Sequence, residues 1–199
     1  MKERHWFIDY AKSIGILLVI LGHYVYYLEL PFAHNMMWGI EHSITLFHMP
    51  LFFVVSGMLF RDVEFKKLWA KTKKQLIYPY VYLCLICLAF GIFLMYFRGM
   101  FSFGLIIRNI VGIISGGDFW GRAPISYSGP LWFCYSLILI KIFMGILNQN
   151  KRRKLFVILL IIVGVGMMYL GNILPFRIDS TLVGFIFFSF GFYFKDSLH

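Results

Sequence analysis

From Leu76 to Phe97 the chain runs without one charged side chain. At 1.5 Å per residue such a helix reaches ~30 Å, the thickness of a bilayer's hydrocarbon core. Water gives an isolated run of this kind no partner. Similar though less uniform segments recur at about Ile8–Leu30, Thr45–Phe60, Gly129–Leu147, Leu155–Gly171 and Thr181–Phe194. The composition agrees, with 60% hydrophobic and only 14% charged residues, against about a quarter charged in soluble domains. Disorder and a water-soluble globule are excluded. The chain reads as an all-α, polytopic integral membrane helix bundle of about six spans, with the lipid bilayer as its solvent. Phe103–Ile114 is apolar but short and carries Arg108, which suits an interfacial or re-entrant helix better than a span.

The net charge of +10 does not point to nucleic acid, because the basic residues fall in short clusters between apolar runs. Alternating the spans places Lys2, Arg4, Arg61, Lys66, Lys67, Lys71, Lys73, Lys74, Lys151, Arg152, Arg153, Lys154 and Lys195 on one side. Arg98, Arg108, Arg122 and Arg177 fall on the other. Lys12 and Lys141 lie near span ends and are not counted. This asymmetry predicts that both termini are cytoplasmic in a multi-pass protein of the cell membrane. The basic N-terminus leads into a retained first span rather than a cleaved signal, since no small-x-small site follows. Cys84, Cys87 and Cys134 lie inside apolar runs and read as buried thiols rather than disulfide or metal partners. No metal site is expected.

Ionisable residues within spans are expensive and mark functional candidates. The first segment holds Asp9, Lys12 and His23. At 100° per residue, Lys12 and His23 differ by about 20° in phase and Asp9 by about 60° from Lys12. All three share a face, with Lys12 near the cytoplasmic mouth and His23 beyond the midplane. His48, in Phe47-His48-Met49-Pro50-Leu51-Phe52-Phe53, is expected at a depth comparable with His23, with Pro50 early in its helix or at a kink. A neutral imidazole there can take a proton from a hydroxyl; an interfacial cap is the plainer reading of His48. His5, His34, His42 and His199 are given no role. Ser56-Gly57 reads as a close-packing step. The basic run Arg61–Lys74 reads as an anchor on the anionic leaflet or a holder of phosphate.

These motifs resemble those of the acyltransferase-3 family of integral-membrane acyltransferases. Lys12 followed by ten residues and His23 is similar to the family's first-span pair, with Lys where Arg is usual. Phe47–Gly57 resembles the second-span motif, closest to the branch related to fucose 4-O-acetylase. Lys71-x-x-Lys74 before Pro79-Tyr80 resembles a basic pair opening the third span, and Gly129-Pro130-Leu131-Trp132-Phe133 a later motif. The resemblance spans most of one domain, 1–199, although family members are usually longer and carry more spans, so the chain reads as a truncated product, a compact variant or an inactive remnant. It implies an O-acetyltransferase with acetyl-CoA as donor and no bound cofactor. Lys71, Lys74 and Lys12 would bind the donor, Asp9 would support the stripe, and His23 and His48 would act catalytically. The acceptor implied is a hydroxyl of a cell-surface glycan or lipid-linked sugar. A small transporter or a non-catalytic accessory subunit is the alternative, using the same stripe as a path or a seam.

Overall fold

The computed structural model describes residues 6–27, 34–99, 101–116, 131–148, 150–170, 174 and 176–195. Lys2, Arg4, residues 28–30 and 171 at two expected span ends, Arg122, and the Gly129-Pro130 opening of the fourth expected span lie outside them. All regular structure among the described residues is helical: α1 Trp6–Tyr27, α2 His34–Met58, α3 Phe65–Thr72, α4 Tyr78–Phe97, α5 Phe103–Ile114, α6 Trp132–Leu147, α7 Arg153–Leu170 and α8 Ile178–Phe194. A π-helical turn, Lys73–Ile77, joins α3 to α4, so Phe65–Phe97 is one continuous helix.

The helices exist because apolar runs satisfy their backbone internally. They turn much of that apolar surface outward. Ile16, Leu17 and Ile20 on α1, Leu85, Phe90 and Phe93 on α4, and Leu159, Ile162 and Val163 on α7 are all exposed. Exposed apolar surface on this scale is unstable in water and stable in lipid. By length and composition, Trp6–Val25 and Phe65–Phe97 are each sufficient to cross a bilayer.

Two expectations shift. α2 begins at His34, upstream of Thr45, because the polar stretch before Thr45 continues the helix. Pro50 therefore sits in the helix interior, not in its first turn. Its missing N–H leaves the carbonyl four residues back without a helical donor.

The chain forms two compact units. The first comprises 1–60 and 187–199, and the second 61–186, with α8 contributing its C-terminal half to the first and its N-terminal half to the second. In the first unit α1 packs on α2. A Cβ on Gly15 would meet Phe52 Cζ at 2.8 Å, and one on Gly22 would meet Ile44 Cγ2 at 3.2 Å. These two contacts set an antiparallel register. The end of α2 meets α8: Cβ atoms on Gly57 and Gly191 would fall on the carbonyl oxygens of Phe188 and Val54. Phe60 packs edge-on to Phe188 and Phe192 at 5.5 and 5.7 Å, and Lys195 Nζ donates to the Phe60 carbonyl at 3.0 Å. The C-terminal ends of α2 and α8 thus lie together.

In the second unit α6 runs antiparallel along the continuous helix, with Gly145 against Leu68 and Phe65 and Ile138 against Tyr80 and Cys84. Cys84 is 1% exposed and packs as a small hydrophobe, as its place in an apolar run implied. α5 doubles back along α4: the Tyr80 hydroxyl donates to the Ile113 carbonyl at 2.7 Å, and Ile113 packs against the Tyr80 cluster. Near the other loops, Arg153 pairs with Asp62 at 2.5 Å, which brings the segment at 61–64 beside the basic one at 151–153.

Candidate functional site

The α1–α2 hairpin carries four of the candidate residues. On α1 the buried positions Ile8, Gly15, Gly22 and Val25 form the face toward α2. Asp9 and Lys12 are half-buried and His23 is exposed. The stripe expected from the helical step therefore runs along the edge of the packed face, opening outward at His23.

His48 is different. It is 4% exposed, and its Nδ1 lies 2.7 Å from the Ile44 carbonyl oxygen one turn back. A carbonyl only accepts, so Nδ1 carries the proton and Nε2 carries the lone pair. Nε2 is buried and has no hydrogen-bond partner among the described residues. The imidazole is thus buried and oriented by its own helix.

The hairpin register corrects the relative depth of the two histidines. Gly15 opposite Phe52 and Gly22 opposite Ile44 put His48 level with Leu18 and Val19. That is roughly 7 Å from the level of His23, at 1.5 Å per residue. The order along the hairpin from the start of α1 is Asp9, Lys12, His48, His23. One-dimensional periodicity fixes phase on a helix but not register between helices, so this order was not readable beforehand.

Lys71 and Lys74 belong to the second unit, on a basic helix. α3 buries Leu68 and Thr72 and exposes Lys66, Lys67 and Lys71. Lys73 Nζ stands 5.7 Å from the Trp69 ring centroid. From Lys73 to Ile77 the helix widens: the Tyr78 N–H donates to the Lys73 carbonyl, five residues back. Pro79 follows immediately and has no N–H to continue the four-residue pattern. Such π-turns occur frequently at functional sites. Nothing in the residue spacing announced it.

The family model described as an acyltransferase domain matches residues 5–199. The chain belongs to the acyltransferase-3 family. The match runs through α1 to α8 and so includes both the hairpin and the basic helix. No curated protein matches the chain, and no solved structure does. As a member of this family of membrane acyltransferases, it carries its polar groups on otherwise apolar helices.

Three further features went unseen in the sequence. Ser136, Thr181 and Ser189 are buried with hydroxyl oxygens lacking partners among the described residues. Phe176 and Arg177 hold left-handed backbone angles, φ 59° and 52°, where non-glycine residues are uncommon, and the Arg177 guanidinium lies 5.9 Å from the Trp132 ring centroid. Lys141 is half-buried on α6, the helix that packs against the basic helix.

Proposed function

We propose that this acyltransferase-3 member is a multi-pass O-acetyltransferase of the cell membrane, with six spans and cytoplasmic termini. It moves the acetyl group of cytoplasmic acetyl-CoA to a hydroxyl of a cell-surface or lipid-linked glycan. The observation that carries this reading is the hairpin, where a cation, an oriented base and an open imidazole follow one another along adjacent apolar helices.

Lys71 and Lys74 attract the donor's phosphates; on the hairpin, Lys12 takes part in binding the donor and begins the polar stripe. At the far end His23 takes the proton of the acceptor hydroxyl as that oxygen attacks the thioester carbonyl. The carbon–sulfur bond breaks, and coenzyme A leaves as its thiol with a proton. His48, roughly 7 Å from the level of His23 with Nε2 available, acts as a second base that relays this proton to the departing sulfur. Asp9 balances the charge of Lys12.

Acetyl transfer from labelled acetyl-CoA by the purified chain in proteoliposomes, with a glycan acceptor, tests the reading. Label appearing in the glycan supports it. Label retained on acetyl-CoA, with the protein folded, favours an accessory subunit.

A further inference from the structure

Neither α5 nor α6 reaches across a bilayer. At 1.5 Å per residue their 12 and 16 residues extend about 18 and 24 Å, against a hydrocarbon core of ~30 Å. Both run beside the 33-residue helix Phe65–Phe97, and their facing ends meet along it. A Cβ on Gly116, just past α5, would meet Tyr135 Cδ1 of α6 at 2.5 Å. Ile113 in the last turn of α5 and Leu131 just before α6 pack on the same cluster of Tyr80, Cys84 and Ile138. From Cys84 to the far end of its helix at Phe97 is about 20 Å. One helix thus ends and the next begins at a level inside the uncharged run Leu76–Phe97.

Backbone that stops at such depth needs partners from the protein or from water held there. The end of α5 has them. The carbonyls of Val111, Gly112 and Ile113 accept from the Ser115 N–H at 2.9 Å, the Ser115 hydroxyl at 3.3 Å and the Tyr80 hydroxyl at 2.7 Å. The start of α6 is built differently. Its first N–H groups have no intrahelical acceptor, no side chain caps them, and the helix dipole makes this end positive. Two side chains add donors there. Arg177 is half-buried, lies 5.9 Å from the ring centroid of Trp132, the first residue of α6, and has five N–H donors to distribute. Ser136, one turn into α6 on the face of Trp132, is 0% exposed, and its hydroxyl has no partner among the described residues. Helical side chains lean toward the amino end, which directs this hydroxyl at the same first turn. Asp179 is the nearby carboxylate, and its oxygens already accept from the Leu174 and Ser180 N–H groups at 3.2 and 2.7 Å. A buried hydroxyl without a partner is costly. An oxyanion seated at the first turn of α6 gives all three kinds of donor an acceptor.

We propose that the start of α6, with Arg177 and Ser136, binds an oxyanion, the carboxylate or phosphate of an acceptor saccharide. The charge asymmetry puts Arg177 on the side opposite the cytoplasmic clusters, so the ligand arrives from outside. That the oxyanion belongs to the acceptor rests on the O-acetyltransferase reading above; the site itself does not. A carboxylate comes from an acidic sugar of a glycan, and a phosphate from a lipid-linked sugar.

Thermal unfolding and binding by the purified full chain in neutral detergent test the proposal. The probes are trigalacturonate and polyprenyl phosphate, with maltotriose and polyprenol as their uncharged counterparts. Wild type is expected to be stabilised by at least one acidic probe and by neither counterpart; the acidic probe that acts assigns the source. Arg177→Gln should bind that probe about tenfold more weakly. Ser136→Ala removes a hydroxyl, so it is expected to unfold no earlier than wild type while binding the probe about threefold more weakly. If Arg177→Gln does not fold, Ser136→Ala reads the site alone. Acidic-probe binding equal to wild type in either variant overturns the proposal, as does earlier unfolding of Ser136→Ala. Stabilisation by an uncharged counterpart as large as by its acidic probe, or by no probe at all, overturns it as well. An acidic probe that binds here but gains no label from acetyl-CoA counts against the O-acetyltransferase reading and leaves the site standing.

Discussion

The imidazole of His48 donates from Nδ1 to the Ile44 carbonyl, so its chemistry is confined to Nε2. His48→Asn can repeat the Nδ1 donation to the backbone and has no basic nitrogen. It is expected to insert and fold while losing turnover by roughly the ~10²–10⁴-fold typical of general base catalysis. Retained turnover in labelled-acetate transfer would make His48 a structural residue. His23→Gln keeps a hydrogen-bonding group on the exposed edge of α1 but cannot take up a proton near neutral pH. It should lose nearly as much activity as His23→Ala; a Gln variant close to wild type would remove His23 from the reaction. The angular kinship of Asp9, Lys12 and His23 was legible because it depends only on the helical step along one segment. The burial of His48 and its level relative to His23 were not legible. Both depend on how Gly15 and Gly22 let α2 approach, and that is a property of two helices together.

Among the elements, the crossing of α2 and α8 shows the clearest dependence on single residues. The carbonyl oxygens of Phe188 and Val54 occupy the places where Cβ atoms of Gly57 and Gly191 would be. The Ser56-Gly57 step was read as a packing site, and Gly57 is one. Gly57→Ala and Gly191→Ala must each push the two backbones apart. Overpacking of this kind typically costs ~1–3 kcal/mol, seen as a lower unfolding temperature in detergent. An unchanged temperature would mean that the helices do not cross at these glycines. At α5 the apolar length suited an interfacial or re-entrant helix better than a span, and the choice between those two was open. The Tyr80–Ile113 bond resolves the direction by turning α5 back along α4. Tyr80→Phe removes that bond, worth about 1 kcal/mol, and should increase protease cutting near α5 with little effect on global unfolding. The basic helix was legible as a cluster of lysines. Its π-turn was not, because the turn arises from hydrogen-bond register around Pro79 and leaves no compositional trace. If Lys71 and Lys74 hold donor phosphates, Lys71→Gln with Lys74→Gln weakens coenzyme A binding at low salt, and raised salt weakens wild type similarly. Equal affinity of the double variant and wild type would leave the run as a membrane anchor.

On the scale of the whole molecule, loop charge and structure bear on the same topology from different directions. The charge asymmetry assigns Arg61–Lys74, Lys151–Lys154 and Lys195 to one side. In the second unit Asp62 pairs with Arg153, and in the first Lys195 reaches the Phe60 carbonyl, so segments assigned to one side meet within each unit. Helical class was therefore readable from apolar length, and two of the described helices, Trp6–Val25 and Phe65–Phe97, are long and apolar enough to cross a bilayer. The division into two units was not readable, since no linker composition marks the boundary inside α8. A cysteine introduced at Asn150 should react with an impermeant thiol reagent only after the membrane is opened; labelling from outside intact cells would contradict the arrangement. In the function proposed, an acetyl group passes from a donor on the Lys71 side of the bilayer to an acceptor on the His23 side. Proteoliposomes of uniform orientation test it most directly, with labelled acetyl-CoA confined to the face bearing Lys71 and the glycan acceptor confined to the opposite face. Labelled glycan is expected from the wild-type chain and almost none from His23→Gln. Label appearing only when donor and acceptor share one face, or equally with His23→Gln, would contradict it.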